Sequence, residues 1–105
     1  MTIQLNADKN LTIHAEYENQ ISEQLAKGLA RFEDHISSLQ VHLSDENGNK
    51  EGQNDKKCVL EARLEGRPAI VGSAFAETYD LAITGALTKL KSALTTVDGK
   101  LKAHH

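Results

Sequence analysis

Cysteine, proline and aromatic residues are scarce in this chain of 105 residues, which holds one Cys, one Pro, two Tyr, two Phe and no Trp. The lone Cys58 has no internal partner, which excludes a disulfide-stapled scaffold and suits a reducing compartment. Four rings are too few for a base-stacking platform. Phe32 and Tyr79 moreover fall on core-facing stripes, which leaves Tyr17 as the candidate exposed ring. No apolar run approaches the roughly 20 residues of a membrane-crossing helix. The start, Met1-Thr2-Ile3-Gln4, lacks the basic residues and apolar run of a secretory signal, so a cytoplasmic location is expected. Motifs of catalysis are missing too: there is no nucleophile elbow, phosphate-binding glycine loop or metal-ligand pair. No carboxylate stands in an apolar stretch that would raise its pKa for acid–base work. The expectation is a protein without enzymatic activity, cofactor, metal or small-molecule substrate.

What is present reads as one domain over residues 1–105, with 39% hydrophobic and 26% charged residues, enough for a single core. The net charge of −3 conceals an asymmetry. Residues 1–55 carry 4 Lys/Arg against 10 Asp/Glu, and residues 56–105 carry 8 against 5. A polarised molecule of this kind can dock by its basic end although the whole is acidic.

Thr2 to Asn6 alternates as a short strand, followed by the turn Asp8-Lys9-Asn10. Leu11 to Ala15 alternates again, as a strand extension or an irregular lead-in. From Tyr17 to about Asp34 the spacing becomes helical, with Ile21, Leu25, Leu29 and Phe32 on one stripe. Gly28 in that helix disfavours it by up to about 1 kcal/mol relative to alanine, which points to a close approach there. Leu39, Val41 and Leu43 alternate as a half-buried strand. Cys58, Leu60, Ala62 and Leu64 form another, Gly66-Arg67-Pro68 a turn, and Ala69 to Ala76 a fourth strand. Thr78 to Lys102 is a long amphipathic helix that buries Tyr79, Ile83, Ala86/Leu87, Leu90, Leu94, Val97 and Leu101. Asp80 is placed to meet the free N–H groups and dipole at its start. The order β-α-β-β-β-α predicts an α/β (α+β) fold, two helices on one face of a four-stranded, mostly antiparallel sheet. The other face, with Gln40, His42, Glu61, Arg63 and Glu65, is left to solvent.

On the last helix Lys89 and Lys100 lie eleven residues apart, as do Lys91 and Lys102. That interval is close to three turns, so each pair shares an azimuth on the exposed side. Such a helix can touch phosphate if its ammonium groups gather on one ridge; otherwise the lysines are a solvated face. Asp45, Asn47 and Asn49 mimic the first ligands of a calcium loop, but Lys50 and Lys56 occupy the places of its glycine and its glutamate. A hairpin connection is the better reading, with Lys50, Lys56 and Lys57 as candidate backbone contacts. His14, His35 and His42 have no ligand spacing, and Cys58 reads as a small buried side chain.

The segments Arg31-Phe32-Glu33-Asp34-His35-Ile36, Val41-His42-Leu43, Asp45-Glu46-Asn47-Gly48 and Glu61-Ala62-Arg63-Leu64-Glu65-Gly66, with the closing stretch from Leu90, resemble the short ribosome hibernation-promoting factors. These are also called ribosome-associated inhibitors or sigma-54 modulation proteins. The likeness spans essentially the whole chain. It implies a fold similar to double-stranded RNA-binding domains and docking on the small ribosomal subunit, against 16S rRNA near the mRNA and tRNA positions, which idles ribosomes in stress. Carried over, the rRNA-binding positions that remain basic are Lys27, Arg31, Lys89, Lys91, Lys100 and Lys102. Ser92, Thr96 and Asp98 break the basic row, and Glu16, Glu18, Glu23, Glu33 and Asp34 weight the first helix with acid. Two other readings stay open: a relative that binds a protein partner through its acidic first helix, and a homodimeric module that uses its exposed sheet.

Overall fold

The computed structural model describes residues 1–7, 13–45 and 55–103, with side chains as far as Val97 in the last helix. Its elements are β1 (Thr2–Ala7), α1 (Ala15–Gly28), a 3-10 helix (Ala30–His35), β2 (Ile36–Asp45), β3 (Lys56–Leu64), β4 (Ile70–Ala76) and α2 (Tyr79–Ala103). The strands lie in the order β1-β2-β3-β4. β1 runs parallel to β2, and the other pairs are antiparallel. A parallel pair needs a crossover, and α1 with the 3-10 helix supplies it.

Alternation assigns the two sheet faces. Ile3 and Leu5 pair in register with Leu39 and Val41, and Val41 and Leu43 with Leu60 and Cys58. These side chains meet Ile21, Leu25 and Leu29 and, from α2, Ala82, Ile83, Ala86, Leu90 and Leu94 in one core. Each fully buried Leu or Ile contributes about 1.5–3 kcal/mol. α2 rests chiefly on β4 and β3. It can do so because β4 turns small residues inward: a Cβ on Gly72 would stand 2.7 Å from the Ala86 carbonyl oxygen and from the Leu90 nitrogen. The opposite face carries an amide ladder, in which Asn6 Nδ2 donates to Gln40 Oε1 at 3.1 Å and Gln40 Nε2 donates to Gln4 Oε1 at 2.7 Å.

Two expectations change in detail. The first α-helix stops at Gly28 and gives way to a 3-10 helix instead of continuing to Asp34. Leu29 leaves the helical region at φ −107°, ψ 10°, and Phe32 N–H then bonds the Leu29 carbonyl at 2.9 Å. Leu29 and Phe32 are buried all the same, because an i, i+3 pair also shares a face in the tighter helix. The start of α2 is capped by Thr78, whose Oγ1 accepts from Leu81 N–H at 3.1 Å, and Asp80 is engaged elsewhere. Of the segment from Leu11 to Ala15, Leu11 and Thr12 lie outside the described residues, residues 13 and 14 form the irregular lead-in that is one of the two expected alternatives, and Ala15 opens α1. The turn at Gly66 has φ 69°, a left-handed value that favours glycine.

Candidate nucleic-acid interface

The exposed side of α2 is built from hydroxyls more than from charge. Thr84, Thr88, Ser92, Thr95 and Thr96 are exposed along it. The hydroxyls of Thr84, Thr88, Thr95 and Thr96 donate to the carbonyls four residues earlier, at 2.8 to 3.2 Å. Lys89 and Lys91 are both exposed. At about 100° per residue they project about 160° apart, on opposite flanks of the hydroxyl crest. Among the described side chains, the two lysines therefore do not share one ridge. Lys100 and Lys102 lie on α2 beyond the described side chains, and Lys50 lies outside the described residues.

α1 runs along the Lys91 flank. Tyr17 OH donates to Asp80 Oδ1 at 2.6 Å, and Gln24 Nε2 donates to Thr84 Oγ1 at 3.3 Å. Farther along, a Cβ on Gly28 would stand 2.7 Å from Leu87 Cδ2, the close approach expected at that glycine. The three contacts advance together on both elements, so the helices run side by side in the same sense. Their starts lie together and are acidic, with Glu16, Glu18, Glu77 and Asp80 all exposed. Lys27 just before Gly28, Arg31 just after it and Lys91 on α2 are all exposed. The helix starts are thus acidic, whereas farther along the exposed Lys27, Arg31 and Lys91 stand among Glu33 and Asp34. Lys89 belongs to the other flank, one turn beyond Gly85, whose added Cβ would stand 2.9 Å from Ala74 Cβ of β4.

Lys56 and Lys57 are strand residues and not part of a loop. Lys56 Nζ lies 3.0 Å from Asp45 Oδ2 and 3.3 Å from Asp55 Oδ2, and 5.8 Å from the centre of the Tyr79 ring. The hydrogen bond to Asp45, opposed by burial and reinforced by Asp55, holds its ammonium above the ordinary lysine range. Lys56 is a clasp between β2, β3 and α2, with its charge already matched. Lys57 Nζ sits 5.3 Å over the Phe75 ring on the outer sheet face.

Tyr17 is not an exposed stacking ring. Burial first, and then the bond to Asp80, hold its phenol above the ordinary tyrosine range. The exposed ring is Phe75, 54% accessible, beside Val71 at 53%. Its signal lay in the alternation of Gly72, Ala74 and Ala76, small residues that face α2 and so turn Val71, Ser73 and Phe75 outward. Cys58 is fully buried, and burial pushes its thiol up to about 12, which makes it an inert packing group. Among the described residues no three His, Cys, Asp or Glu side chains converge as metal ligands. No helix among them is long and apolar enough to cross a membrane.

Comparison with known proteins adds to this geometry. The family described as "Sigma 54 modulation protein / S30EA ribosomal protein" matches residues 6–102. No curated protein matches by sequence. Among solved structures, a ribosomal subunit interface protein from Coxiella burnetii aligns with a TM-score of 0.71 at 19% identity, covering 94% of this chain and 99% of the other. The N-terminal domain of Protein Y from Thermus thermophilus aligns with a TM-score of 0.60 at 18% identity, covering 92% and 96%. At these identities the two structures establish the shared α+β fold.

Proposed function

The chain belongs to the Sigma 54 modulation protein / S30EA ribosomal protein family, a family of ribosome-associated modulation proteins, and on that premise we propose that it is a non-catalytic cytoplasmic regulator. It binds the small ribosomal subunit against 16S rRNA near the mRNA and tRNA channel, and it idles ribosomes under stress. What supports this reading is that Lys27, Arg31 and Lys91 are exposed on two helical segments whose contacts at Tyr17, Gln24 and Gly28 set them side by side.

Phosphate contact needs fixed positive charge on a rigid element. The interhelix contacts at Tyr17, Gln24 and Gly28 hold α1 against α2, so the spacing of the three cations is set before RNA arrives. Lys89, on the far flank of a helix about 10–12 Å wide, offers a second, separate point of phosphate contact. Contacts of this kind position a protein by shape and do not read sequence. The acidic helix starts face away from the phosphates and orient the approach.

The test is cosedimentation with purified small subunits across a salt series. Each phosphate neutralised contributes about 0.7–0.9 to the slope of log K against log salt. Pelleting that weakens steeply with salt supports rRNA contact, and a protein that stays in the supernatant at low salt contradicts it.

A further inference from the structure

Beyond the close approach at Gly28, Phe32, His35, Leu64, Leu94 and Val97 line a half-open cavity of about 370 Å³. That volume lies within the range of small-ligand sites, about 300–1,000 Å³. The half-buried Leu64 and Val97 supply most of its accessible apolar floor, over the nearly buried Phe32 and Leu94. Asp34 of the 3-10 helix and Glu65 and Arg67 of the β3–β4 turn stand exposed at its rim. Among the described residues no ion pair or hydrogen bond engages the side chains of Asp34, Glu65 or Arg67. Two carboxylates and a guanidinium thus ring an apolar slot with their hydrogen-bonding capacity unused.

We propose that this cavity receives an unpaired guanine base of RNA, an inference that rests on the RNA-binding reading above. A flat ring system covers the apolar floor, and single-stranded RNA is read by bases splayed into such sites. Guanine N1–H and N2–H₂ are adjacent donors that one carboxylate accepts together. Its O6 and N7 are the acceptor pair that arginine engages with two bonds. Adenine carries an acceptor in place of the N1–H, and cytosine and uracil lack the O6/N7 pair. Among the four bases, guanine alone offers matched edges to both a carboxylate and Arg67. The Arg31 guanidinium, 5.3 Å over the ring of Phe32, is the nearby cation that would meet the flanking phosphate. An arginine from a protein partner would suit Asp34 and Glu65 but would bring like charge against Arg67.

The experiment follows the methyl resonances of Leu64, Leu94 and Val97 during titration of the whole chain with GMP, AMP, CMP, UMP, inorganic phosphate and arginine amide. GMP should give saturable shifts with an affinity about tenfold above the other nucleotides, the discrimination of one good bidentate pair. The double variant Asp34→Asn/Glu65→Gln should lose that preference while keeping its fold, since both side chains are exposed. No saturable shift with GMP, an equal response to all four nucleotides or to phosphate, or a response to arginine amide alone would each overturn the proposal. The titration uses free nucleotides, so its failure is separate from a failure to pellet with ribosomes.

Discussion

Tyr17 and Asp80, sixty-three positions apart in sequence, share a 2.6 Å hydrogen bond that ties the first turn of α1 to the first turn of α2. This bond fixes where the two helices start against one another. Tyr17→Phe removes the donor and leaves an exposed carboxylate that water can satisfy. The expected loss is about 0.5–1.5 kcal/mol, a drop in melting temperature of about 4–8 °C per kcal/mol for a domain near this size. Thermal unfolding followed by circular dichroism measures it. An unchanged midpoint would show that the bond does not hold the helices together.

Cys58 predicts the alkaline limb of stability. The buried thiol stays protonated in the fold up to about pH 12, whereas in the unfolded chain it ionises at an ordinary thiol value of about 8.5. The folded pKa is the higher one, so this contribution is complete below about pH 8.5 and is lost as pH rises toward the folded value. The expected slope for the one group is about −1.4 kcal/mol per pH unit. Urea unfolding of wild type and Cys58→Ala between pH 8 and 11, pH values set by about the same thiol range, should show a shallower decline in the variant. Parallel declines would contradict the assignment.

Two glycines at close approaches should respond differently to alanine. At Gly72 the added methyl meets backbone atoms of α2 at 2.7 Å, so the helix itself must move off β4. An overpacking loss of about 1–3 kcal/mol is expected. At Gly28 the methyl meets only the end of the Leu87 side chain, which can rotate away. Alanine also favours the helix by up to about 1 kcal/mol there. Gly28→Ala should therefore remain within about 1 kcal/mol of wild type by denaturant unfolding, with the two strain and propensity effects opposed. Equal losses at both sites would mean that the α2–β4 approach is not the tighter constraint.

Lys56, clasped between Asp45 and Asp55, should matter for the fold and not for ribosome binding. Lys56→Gln is expected to lower the melting temperature and leave cosedimentation unchanged. A large loss of pelleting at unchanged melting temperature would return Lys56 to the interface.

The architecture was legible because each element carries an unambiguous period. Leu39/Val41/Leu43 and Cys58/Leu60/Ala62 alternate with polar residues, and Ile83, Leu87, Leu90 and Leu94 recur at helical spacing; all are buried as expected. The end of α1 was not legible, since Leu25, Leu29 and Phe32 fit a continued α-helix and a 3-10 turn equally well. The site was legible only in its residue types. Lys89 and Lys91 are both solvent-facing by period, but which flank faces α1 depends on tertiary contacts such as Gly28 against Leu87. The clasp on Lys56 arises from the hairpin register that pairs it with Asp45 across a loop, and no local pattern announces it. Tyr17 was open to a stacking role because its partner Asp80 lies on another helix.

The most direct measurement compares wild type with the seam variant Lys27→Glu/Arg31→Glu/Lys91→Glu in cosedimentation with small subunits across a salt series. Wild type should pellet at low salt and lose affinity linearly in log salt, with a slope that grows by about 0.7–0.9 per phosphate contact. The variant should stay in the supernatant, with its melting temperature nearly unchanged because all three side chains are exposed. A variant that pellets as well as wild type, at the same salt slope, would contradict a phosphate grip at the seam of α1 and α2.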